Sequence, residues 1–520
     1  MDLVGNRTLR DLLTERAQRH PDKVCLVHEA KTGEVREFTY SGLLADVQSA
    51  AGGFAHLGVG PGDKVVLHLA SSPEFVIAWF GLTWLGAVAV PSNTANTVPE
   101  MQHVLTLSDA VGYVTSPEYA PVLAAAAESA PDVRVRLLAR AEDSGDSTFE
   151  GLLAAGHPTP NHPLDNEDVA QLLFTSGTTS RPKAVMLTHA NCLHAGERES
   201  RMQAIDETDR LLTALPTFHV NAQTVSLLSA FTAGATVVLL EEYRATRFIA
   251  QVRAHRATAL SLVGTQVRTL LLQPPHDQDQ DHRVRRCLFA LNVLDSEKDA
   301  FEKRYGIELM NGYGLSEAMT IVSVAPVFGD RRWPSIGLPA NDRTVRLVHA
   351  GGADVPTGTV GELIVRGVAG RTLMKGYYKD PEATAATVRD GWLYTGDNAY
   401  VDEAGYLYFF DRLKDVIKRA GENISATEVE SALLEHPDIA EAAVIGISDP
   451  IRDEAVKAYV VAREGTTVTV EDVIAHCRAY LAPFKVPTAV EVRDRLPRTS
   501  IGKIEKKTLR AEARATGELQ

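Results

Sequence analysis

Hydrophobic and polar positions alternate along this chain with two periods, one of about 3.6 residues and one of two residues. The longer period predicts helices, and the shorter one, together with short apolar runs, predicts strands. We predict helices at 8–19, 41–57, 425–435 and 470–481, and strands at 24–28, 64–70, 112–115, 133–138, 172–174, 235–240, 406–410, 440–447 and 454–462. Repeated alternation of the two element types is typical of α/β layering.

The longest uncharged run, residues 75–90, indicates a buried helix that leads into a strand. It is shorter than the roughly 18 to 20 apolar residues that cross a bilayer, and it ends at Pro91. The first residues carry charge and lack the apolar core of a signal peptide. We therefore expect a cytoplasmic protein with no membrane partner.

Length and charge narrow the classes of function. A chain of 520 residues exceeds what one hydrophobic core usually serves, and its 45% apolar and 23% charged fractions are those of an ordinary globular protein. A formal net charge of -14 argues against nucleic acid as a partner, so any anion site must be made locally. The four cysteines lie far apart without metal-ligand spacing, which favours reduced thiols.

The stretch 172–191, LLFTSGTTSRPKAVMLTHAN, has the chemistry of a phosphate-binding loop directly after a buried strand. Hydroxyl groups donate to phosphate oxygens, glycine admits the backbone amides, and a lysine supplies a point charge. The candidate residues are Thr175, Ser176, Gly177, Thr178, Thr179 and Lys183. Pro182 stands where a Walker A loop needs glycine, so that pattern is excluded. The alternative is an ordinary polar surface turn.

Four further motifs follow in order. They are an aromatic-histidine pair at 218–219, NGYGLSE at 311–317, GWLYTGD at 391–397 and LPRTSIGKIEKKTLR at 496–510. An aromatic face can stack a base, a carboxylate can accept from a ribose diol, and a carboxylate is also a hard ligand for Mg²⁺. Each taken alone has a plainer interpretation: a buried histidine, a helix cap, a capped turn or solvated lysines.

Taken together, these motifs resemble the adenylate-forming superfamily, which includes acyl-CoA synthetases, firefly luciferase and nonribosomal-peptide adenylation domains. The motifs stand in the family's order and span most of the chain. Ser180 and Ala184 replace glycines of the usual family loop, and the carnitine-CoA ligase branch also tends to carry serine at the first position. The run RRWPSIG at 331–337 again looks like the carnitine/crotonobetaine-CoA ligase branch.

The resemblance implies an α/β fold with a large N-terminal domain of several subdomains, in which helices pack on β-sheets. It implies a small mobile α/β C-terminal domain as well. We place the N-terminal adenylation domain at 1–411, the hinge at 412–416 with Lys414 as its pivot, and the C-terminal domain at 417–520.

The resemblance also implies a role for each site residue. Lys503 is the expected catalytic lysine, His219 gates the carboxylate substrate, and Glu317 holds Mg²⁺. The residues expected to bind ATP, beyond the loop at 175–183, are Asn311, Gly312, Tyr313, Gly314, Ser316, Asp397, Arg412, Lys418 and Gly421. The residues expected to form the acyl pocket are Val220, Val263, Gly264, Leu291, Asn292, Ala318 and Met319.

The implied reaction joins a small or medium carboxylic acid to AMP, with release of pyrophosphate from MgATP, and then passes the acyl group to coenzyme A. One alternative keeps the first step but delivers the acyl group to the thiol of a carrier protein. Another is an adenylate-forming enzyme that couples nitrite to an aryl amine, as a few relatives in specialised metabolism do. A further alternative is a nonenzymatic nucleotide-binding regulator. The mostly apolar pocket shows no clear aromatic or acidic partner for a quaternary ammonium, so we discount carnitine-like betaines.

Overall fold

The computed structural model describes residues 3–141, 148–175, 182–290, 293, 295–349, 351–412, 416–420, 422–497, 504 and 506–518. The strands of these residues are β1 (Val24–Glu29), β2 (Val35–Thr39), β3 (Lys64–His68), β4 (Val88–Pro91), β5 (Ala110–Thr115), β6 (Val135–Leu138), β7 (Val169–Thr175), β8 (Lys183–Thr188), β9 (Arg210–Thr213), β10 (Thr236–Leu240), β11 (Ala259–Val263), β12 (Arg286–Ala290), β13 (Leu309–Leu315), β14 (Thr320–Val324), β15 (Leu338–Pro339), β16 (Thr344–Val348), β17 (Gly361–Arg366), β18 (Gly376–Tyr377), β19 (Val388–Arg389), β20 (Trp392–Val401), β21 (Leu407–Arg412), β22 (Val416–Arg419), β23 (Glu422–Ser425), β24 (Ile439–Asp449), β25 (Asp453–Ala462) and β26 (Ala489–Val492).

Helices connect most of these strands. They are α1 (Leu9–Arg19), α2 (Tyr40–His56), α3 (Pro73–Leu85), α4 (Val98–Ser108), α5 (Ala120–Ala127), α6 (Phe149–Ala154), α7 (His189–Met202), α8 (Ser229–Ala233), α9 (Ala245–Ala254), α10 (Gly264–Leu271), α11 (Asp295–Tyr305), α12 (Pro381–Thr387), α13 (Ala426–Leu434), α14 (Val470–Tyr480) and α15 (Lys506–Ala515). A π-helical segment, Ala222–Leu228, runs directly into α8, and a short 3₁₀ turn, Ser316–Ala318, joins β13 to β14.

Two large sheets carry most of the chain before residue 340. One has the strand order β18-β8-β7-β4-β3-β5-β6, and the other has the order β15-β14-β13-β12-β11-β9-β10-β1-β2. The central strands of each sheet are parallel, whereas the pairs β7/β8, β13/β14 and β1/β2 are antiparallel. Parallel strands require crossover helices, which explains the alternation in the sequence.

Helices cover both faces of both large sheets. One continuous apolar core joins α1, α2, α3, α6, α7 and α8 to strands of the two sheets, so these helices lie between them. Helices α4 and α5 pack on the outer face of the first sheet, and α9, α10 and α11 pack on the outer face of the second. The prediction of α/β layering with sheets packed by helices is confirmed.

The uncharged run forms the predicted buried helix and strand. All residues of α3 are buried, and β4 follows it at Val88–Pro91. Within the described part of the chain, no helix is long and apolar enough to cross a membrane. All four cysteines are buried and free, and burial raises the pKa of the Cys25 and Cys192 thiols to about 12, as expected for structural thiols.

Two smaller sheets complete the fold. The first has the order β16-β17-β20-β19, with β21 also beside β20. The second, formed after residue 415, has the order β23-β22-β25-β24, with β26 also beside β25. Helices α13 and α14 pack on one face of this last sheet and α15 on the other. The predicted domain limits of 1–411 and 417–520, and the mobility of the second domain, stay predictions.

Gly337 joins the second large sheet to the first small one. Its carbonyl accepts from the Leu407 amide at 2.9 Å, and the Ile336 amide donates to the Leu407 carbonyl at 2.8 Å. Its φ of +85° lies in the left-handed region, and a Cβ at this position would overlap the carbonyl group of Val324 in β14. No larger residue fits without moving β14, which carries part of the cleft described below.

We expect Gly337→Ala to destabilise the protein by roughly 3 kcal/mol or more, because backbone strain and overpacking add. Gly352→Ala is the matched control, since Gly352 has a φ of +83° but nothing within 4 Å of an added Cβ. The control retains only the cost of the left-handed backbone, about 1 to 2 kcal/mol. Thermal unfolding of both variants measures the difference, and equal losses would contradict the proposed overlap with Val324.

Candidate active site

A cleft of about 1560 Å³ lies where both large sheets and the first small sheet meet the C-terminal unit, by which we mean the described residues from 416 to 518. Each part contributes lining residues: Lys183 from β8, Gly312 from β13, Asp397 from β20 and Glu422 from β23. Several of the parallel strands direct their carboxyl ends toward it, which is the usual position of ligand sites in open α/β sheets.

Asp397 and Tyr313 form the first polar group of the cleft. The Tyr313 hydroxyl donates to Asp397 Oδ2 at 2.7 Å, and the Asp397 backbone amide donates to Thr395 Oγ1 at 3.1 Å. The Tyr313 ring lies 6.2 Å from that of Phe409, between ring centroids. A fixed carboxylate beside an aromatic ring has the chemistry expected for a nucleoside, with the ribose diol donating to the carboxylate. Arg412 stands opposite Asp397 in the register of β20 and β21, and its side chain lies outside the described part.

Glu317, Tyr377 and Lys183 form the second polar group. The Tyr377 hydroxyl donates to Glu317 Oε1 at 2.9 Å, and Lys183 Nζ lies 4.8 Å from the centroid of the Tyr377 ring. Burial and the neighbouring Glu317 carboxylate raise the pKa of Tyr377 far above its ordinary value, so its hydroxyl keeps its proton and remains a donor. Sequence analysis missed Tyr377, which reaches this place through the two-residue strand β18 paired to β8.

The segment between β13 and β14 is held in a strained conformation. Met319 and Thr320 have φ values of 47° and 73°, which are unusual for residues with a side chain and most unusual for a β-branched one. Two arginines fix the turn from behind: Arg343 donates to the Ala318 carbonyl, and Arg198 Nη1 donates to the Met319 carbonyl at 3.0 Å. The turn thereby presents Glu317 and Thr320 to the cleft at its two ends.

Buried charges support these arginines. Arg198 makes a bidentate pair with Asp342, at 2.6 and 2.7 Å. Burial, together with the nearby Arg198, lowers the pKa of Arg343 to about 9, whereas burial raises the pKa of Glu199 to about 8. Glu199 therefore holds its proton at neutral pH and adds little negative charge to the cluster.

A mostly apolar wall forms the other part of the cleft. Val220, Val263, Leu288, Ala290 and Ile321 line it, as do Asn221 and Thr320. Asn221 Oδ1 accepts from Ser261 Oγ at 2.8 Å. Thr224, on the π-helical segment, donates to the Val220 carbonyl at 2.8 Å and bonds the Thr320 hydroxyl. Such π-helical turns are frequent at functional sites, because they re-aim neighbouring side chains.

His219 meets the C-terminal unit at the mouth of this wall. Its Nε2 lies 2.8 Å from Glu422 Oε1, and the Phe218 ring centroid lies 4.7 Å from its own. Desolvation alone would lower the pKa of His219, but Glu422 raises it above its ordinary value. In turn, burial would raise the pKa of Glu422, but His219 lowers it. The two groups therefore form an ion pair across the cleft.

A buried lysine makes a second contact between the two parts of the protein. Lys485 Nζ lies 2.9 Å from Glu100 Oε1 of α4 and 2.8 Å from Glu428 Oε1 of α13. Burial would lower the pKa of Lys485, but Glu428 and Glu100 raise it above its usual value. Arg268 of α10 likewise pairs with Asp453 of β25. Sequence analysis indicated none of these contacts, because surface-type lysines and arginines carry no local signal of a buried partner.

The structure brings some of the predicted residues to the cleft surface. These are Thr175, Lys183, His219, Val220, Val263, Gly312, Gly314, Ser316, Glu317 and Asp397. Tyr313 lies beside it through its bond to Asp397, and Lys418 Nζ lies 4.2 Å from the Phe409 ring centroid.

Other predicted residues lie behind the lining. Asn311 is buried and donates to the carbonyls of Pro334 and Ser335. Gly264 begins α10, and Ala318 and Met319 are fully buried. The predicted site residues that lie outside the described residues are Ser176, Gly177, Thr178, Thr179, Leu291, Asn292, Lys414, Gly421 and Lys503.

Comparison with known proteins agrees with this arrangement. The AMP-binding enzyme family matches residues 13–378, and the AMP-binding enzyme C-terminal domain matches residues 428–503. A crotonobetaine/carnitine-CoA ligase of Escherichia coli is 40% identical over 519 residues, which cover 98% of this chain and 100% of that protein.

Two structures of o-succinylbenzoate-CoA synthetase from Bacillus subtilis, each 26% identical, share the fold. A double mutant bound with its product analogue superposes with a TM-score of 0.86, covering 97% of this chain and 98% of that one. The synthetase in complex with AMP gives a TM-score of 0.70, covering 97% of this chain and 98% of that one.

The His219–Glu422 pair predicts a specific titration. The pair is fully charged above the lowered pKa of Glu422 and below the raised pKa of His219, and it is lost as the pH leaves that window on either side. We expect His219 to titrate above its ordinary value of roughly 6.5, and Glu422→Gln to bring it below that value, because desolvation then acts unopposed.

Nuclear magnetic resonance of histidine-labelled protein measures both values, with the His219 signal identified by its loss in His219→Gln. Glu435→Gln is the control, since Glu435 also lines the cleft from the C-terminal unit but is exposed. A His219 pKa that is the same in the Glu422→Gln variant and in the parent would contradict the ion pair.

Proposed function

The chain belongs to the AMP-binding enzyme family, and on that premise we propose that it is an ATP-dependent ligase that adenylates a small or medium carboxylic acid and transfers the acyl group to coenzyme A. The observation that carries the proposal is the convergence on one cleft of Lys183, Glu317 and the Tyr313–Asp397 pair with an apolar wall. Polar groups for a nucleotide and an apolar pocket for an acid then share one space.

In the first half-reaction, a carboxylate oxygen of the acid forms a bond to the α-phosphorus of ATP, and the bond to the bridging oxygen breaks to release pyrophosphate. Asp397 accepts from the ribose hydroxyls, and Lys183 with Ser316 binds phosphate oxygens. Lys503 supplies the positive charge that stabilises the transition state, since a compact ammonium suits developing negative charge. The hydroxyls of Thr178 and Thr179 complete the phosphate contacts.

The residues present also fit Mg²⁺. Glu317 Oε1 is occupied by the Tyr377 hydroxyl at 2.9 Å, which orients the carboxylate at the cleft surface and leaves Oε2 for a metal. Magnesium commonly takes one or two protein carboxylates together with substrate phosphates. When bound, the ion neutralises phosphate charge and holds the pyrophosphate leaving group. Within the described residues no group of three or more His, Cys, Asp or Glu side chains is placed to hold a metal ion.

In the second half-reaction, the thiol of coenzyme A forms a bond to the acyl carbon, and AMP leaves with the electrons of the carbon-oxygen bond. Glu422, the first residue of β23, reaches His219 in this structure, so this end of β23 faces the cleft. The better superposition on the product-analogue complex than on the AMP complex supports the idea that this is the thioester-forming arrangement. Rotation at Lys414 would then bring Lys503 to the cleft for the first half.

The two other acceptors remain alternatives without a supporting observation. A carrier protein needs a docking surface, and nitrite coupling needs a site for an aryl amine; no contact described above favours either. The complete set of Lys503, Glu317 and Asp397 also argues against a nonenzymatic regulator.

The direct test is pyrophosphate release from ATP across a panel of carboxylic acids, with nitrite as one member, each with and without coenzyme A. We expect one class of acid to trigger release, and coenzyme A to raise turnover and give the mass of an acyl-CoA. Release with nitrite alone would contradict the ligase. Release that coenzyme A does not speed and that yields no acyl-CoA would favour a carrier-protein acceptor, and no release with any acid would favour a nucleotide-binding role.

The Lys485 contact provides a test of the two arrangements. We expect Lys485→Met to slow thioester formation by about tenfold or more, because Glu100 of the larger part contacts this cation only in the docked arrangement, whereas Glu428 belongs to the same unit as Lys485 and loses it in both arrangements. ATP-pyrophosphate exchange, which reports adenylation, should change by less than about threefold. Stopped-flow measurement of each half-reaction separates the two effects.

Lys457→Met is the matched control. Lys457 is also buried and lies 3.1 Å from Glu491 and 2.6 Å from Glu518, but all three residues belong to the C-terminal unit. Its loss weakens the unit without touching the interface. Equal slowing of both half-reactions in Lys485→Met would contradict its role in docking.

A further inference from the structure

The apolar wall of the cleft contains the side-chain amide of Asn221, whose oxygen has a hydrogen-bond partner within the described residues and whose nitrogen has none. Asn221 lines the cleft two residues after His219, and its Oδ1 accepts from the Ser261 hydroxyl at 2.8 Å. Ser261 is buried in β11 and therefore holds the amide plane in one orientation. Among the described residues no acceptor contacts Asn221 Nδ2, and the side chain is half-buried at the cleft surface. Two N–H donors are therefore presented to whatever occupies this wall.

The Thr320 hydroxyl, on the same wall, supplies a hydrogen-bond acceptor. Thr224 uses its proton on the Val220 carbonyl, so in its bond with Thr320 it is the acceptor and Thr320 is the donor. Thr320 lines the cleft, and the unused lone pair of its oxygen is an acceptor. Thr224 stands three residues after Asn221, which is the N-cap of the π-helical segment. The wall thus offers a donor and an acceptor among Val220, Val263, Leu288, Ala290 and Ile321.

This wall is poorly suited to bind a substrate whose tail carries a positive charge. The described carboxylates nearest to it serve other groups: Glu422 pairs with His219, while Glu317 and Asp397, which bond Tyr377 and Tyr313, lie on the nucleotide side of the cleft. Phe218, an aromatic ring beside this wall, packs against the imidazole of His219, and the Glu422 carboxylate raises the pKa of that imidazole, which favours its protonated form. A quaternary ammonium is bound by aromatic faces and carboxylates, and here it would meet amide N–H groups and a positive imidazole.

We propose that Asn221 is a specificity-determining residue, which donates a hydrogen bond to a hydroxyl or carbonyl oxygen on the tail of an uncharged carboxylic acid. The inference rests on the proposed ligase function and names its class of substrate. This chain would then differ in substrate preference from the crotonobetaine/carnitine-CoA ligase, although the two sequences align over nearly their whole length. A site built to bond a polar oxygen rejects an analogue that lacks it, because the buried donor is then left without a partner.

The test compares three matched sets of acids of four to eight carbons in the pyrophosphate-release assay: hydroxy- or oxo-acids, plain alkyl acids, and acids that end in a trimethylammonium group. With the parent protein we expect kcat/KM to be highest for a hydroxy- or oxo-acid, by about tenfold or more over the alkyl acid of equal length. We expect the trimethylammonium acids to be the poorest of the three sets.

Two variants of Asn221 then assign the preference. Asn221→Leu should lower kcat/KM for the preferred acid by roughly tenfold and leave the alkyl acid unchanged or improved. Asn221→Asp places a carboxylate at the same point and should raise kcat/KM for the trimethylammonium acids. Asn96→Leu is the matched control, because Asn96 also lines the cleft, but its amide contacts Met101 of α4 at 3.5 Å, on another wall. It should leave the ranking of the acids unchanged.

The outcomes separate the inference from the proposed function. Release with none of the acids would overturn both. Release in which Asn221→Leu lowers every acid equally would retain the ligase and overturn the role of Asn221 in specificity, since a purely structural residue would act in that way. A parent protein that prefers trimethylammonium acids would overturn the assignment of an uncharged substrate.

Discussion

The turn from Ser316 to Thr320 is the constraint on which the cleft depends. Its left-handed residues, Met319 and Thr320, stay in place because Arg343 and Arg198 bond the carbonyls behind them. A relaxed turn would move the Glu317 carboxylate away from Tyr377 and the Thr320 hydroxyl away from Thr224. One strained segment therefore sets both the nucleotide side and the acyl side of the site, which is where backbone strain is usually found.

Buried charged side chains, rather than apolar packing, stabilise the strained turn. Two guanidinium groups side by side would repel, and removal of one partner from such a cluster usually leaves an uncompensated charge. Asp342 neutralises Arg198 in a bidentate pair, while the lowered pKa of Arg343 reflects its burial beside Arg198. Glu199 keeps its proton because of burial, and so a buried carboxyl is tolerated without a further cation. The guanidinium groups of Arg343 and Arg198 therefore hold the turn in place, and the turn positions Glu317 and Thr320 at the cleft.

Sequence reasoning predicted the parts of the site that depend on local chemistry, and it missed those that depend on tertiary packing. The alternating elements, Asp397, Glu317 and Lys183 stand in motifs, whereas Tyr377 arrives on a strand of only two residues. Ala318 and Met319 were expected in the pocket, but both are fully buried beside the left-handed turn and neither lines the cleft. Asn221 was not predicted, because its hydrogen-bond partner Ser261 lies 40 residues away in the sequence. The two residues meet only when β11 packs against the π-helical segment.

The way in which the apolar cores are divided bears on the proposed movement. Among the described residues, the apolar clusters that contain residues 417–513 include none from before residue 412, and the clusters of the larger part include none from after it. Across the boundary the contacts described above involve charged side chains: the pairs His219–Glu422, Lys485 with Glu100, and Arg268–Asp453, and the Lys418 ammonium beside the Phe409 ring. Water can replace such pairs when the surfaces separate, whereas exposure of a shared apolar core would cost about 25 cal/mol for each Å². Each unit therefore keeps its own core, and the polar interface gives the directional docking that an alternation between two half-reactions requires.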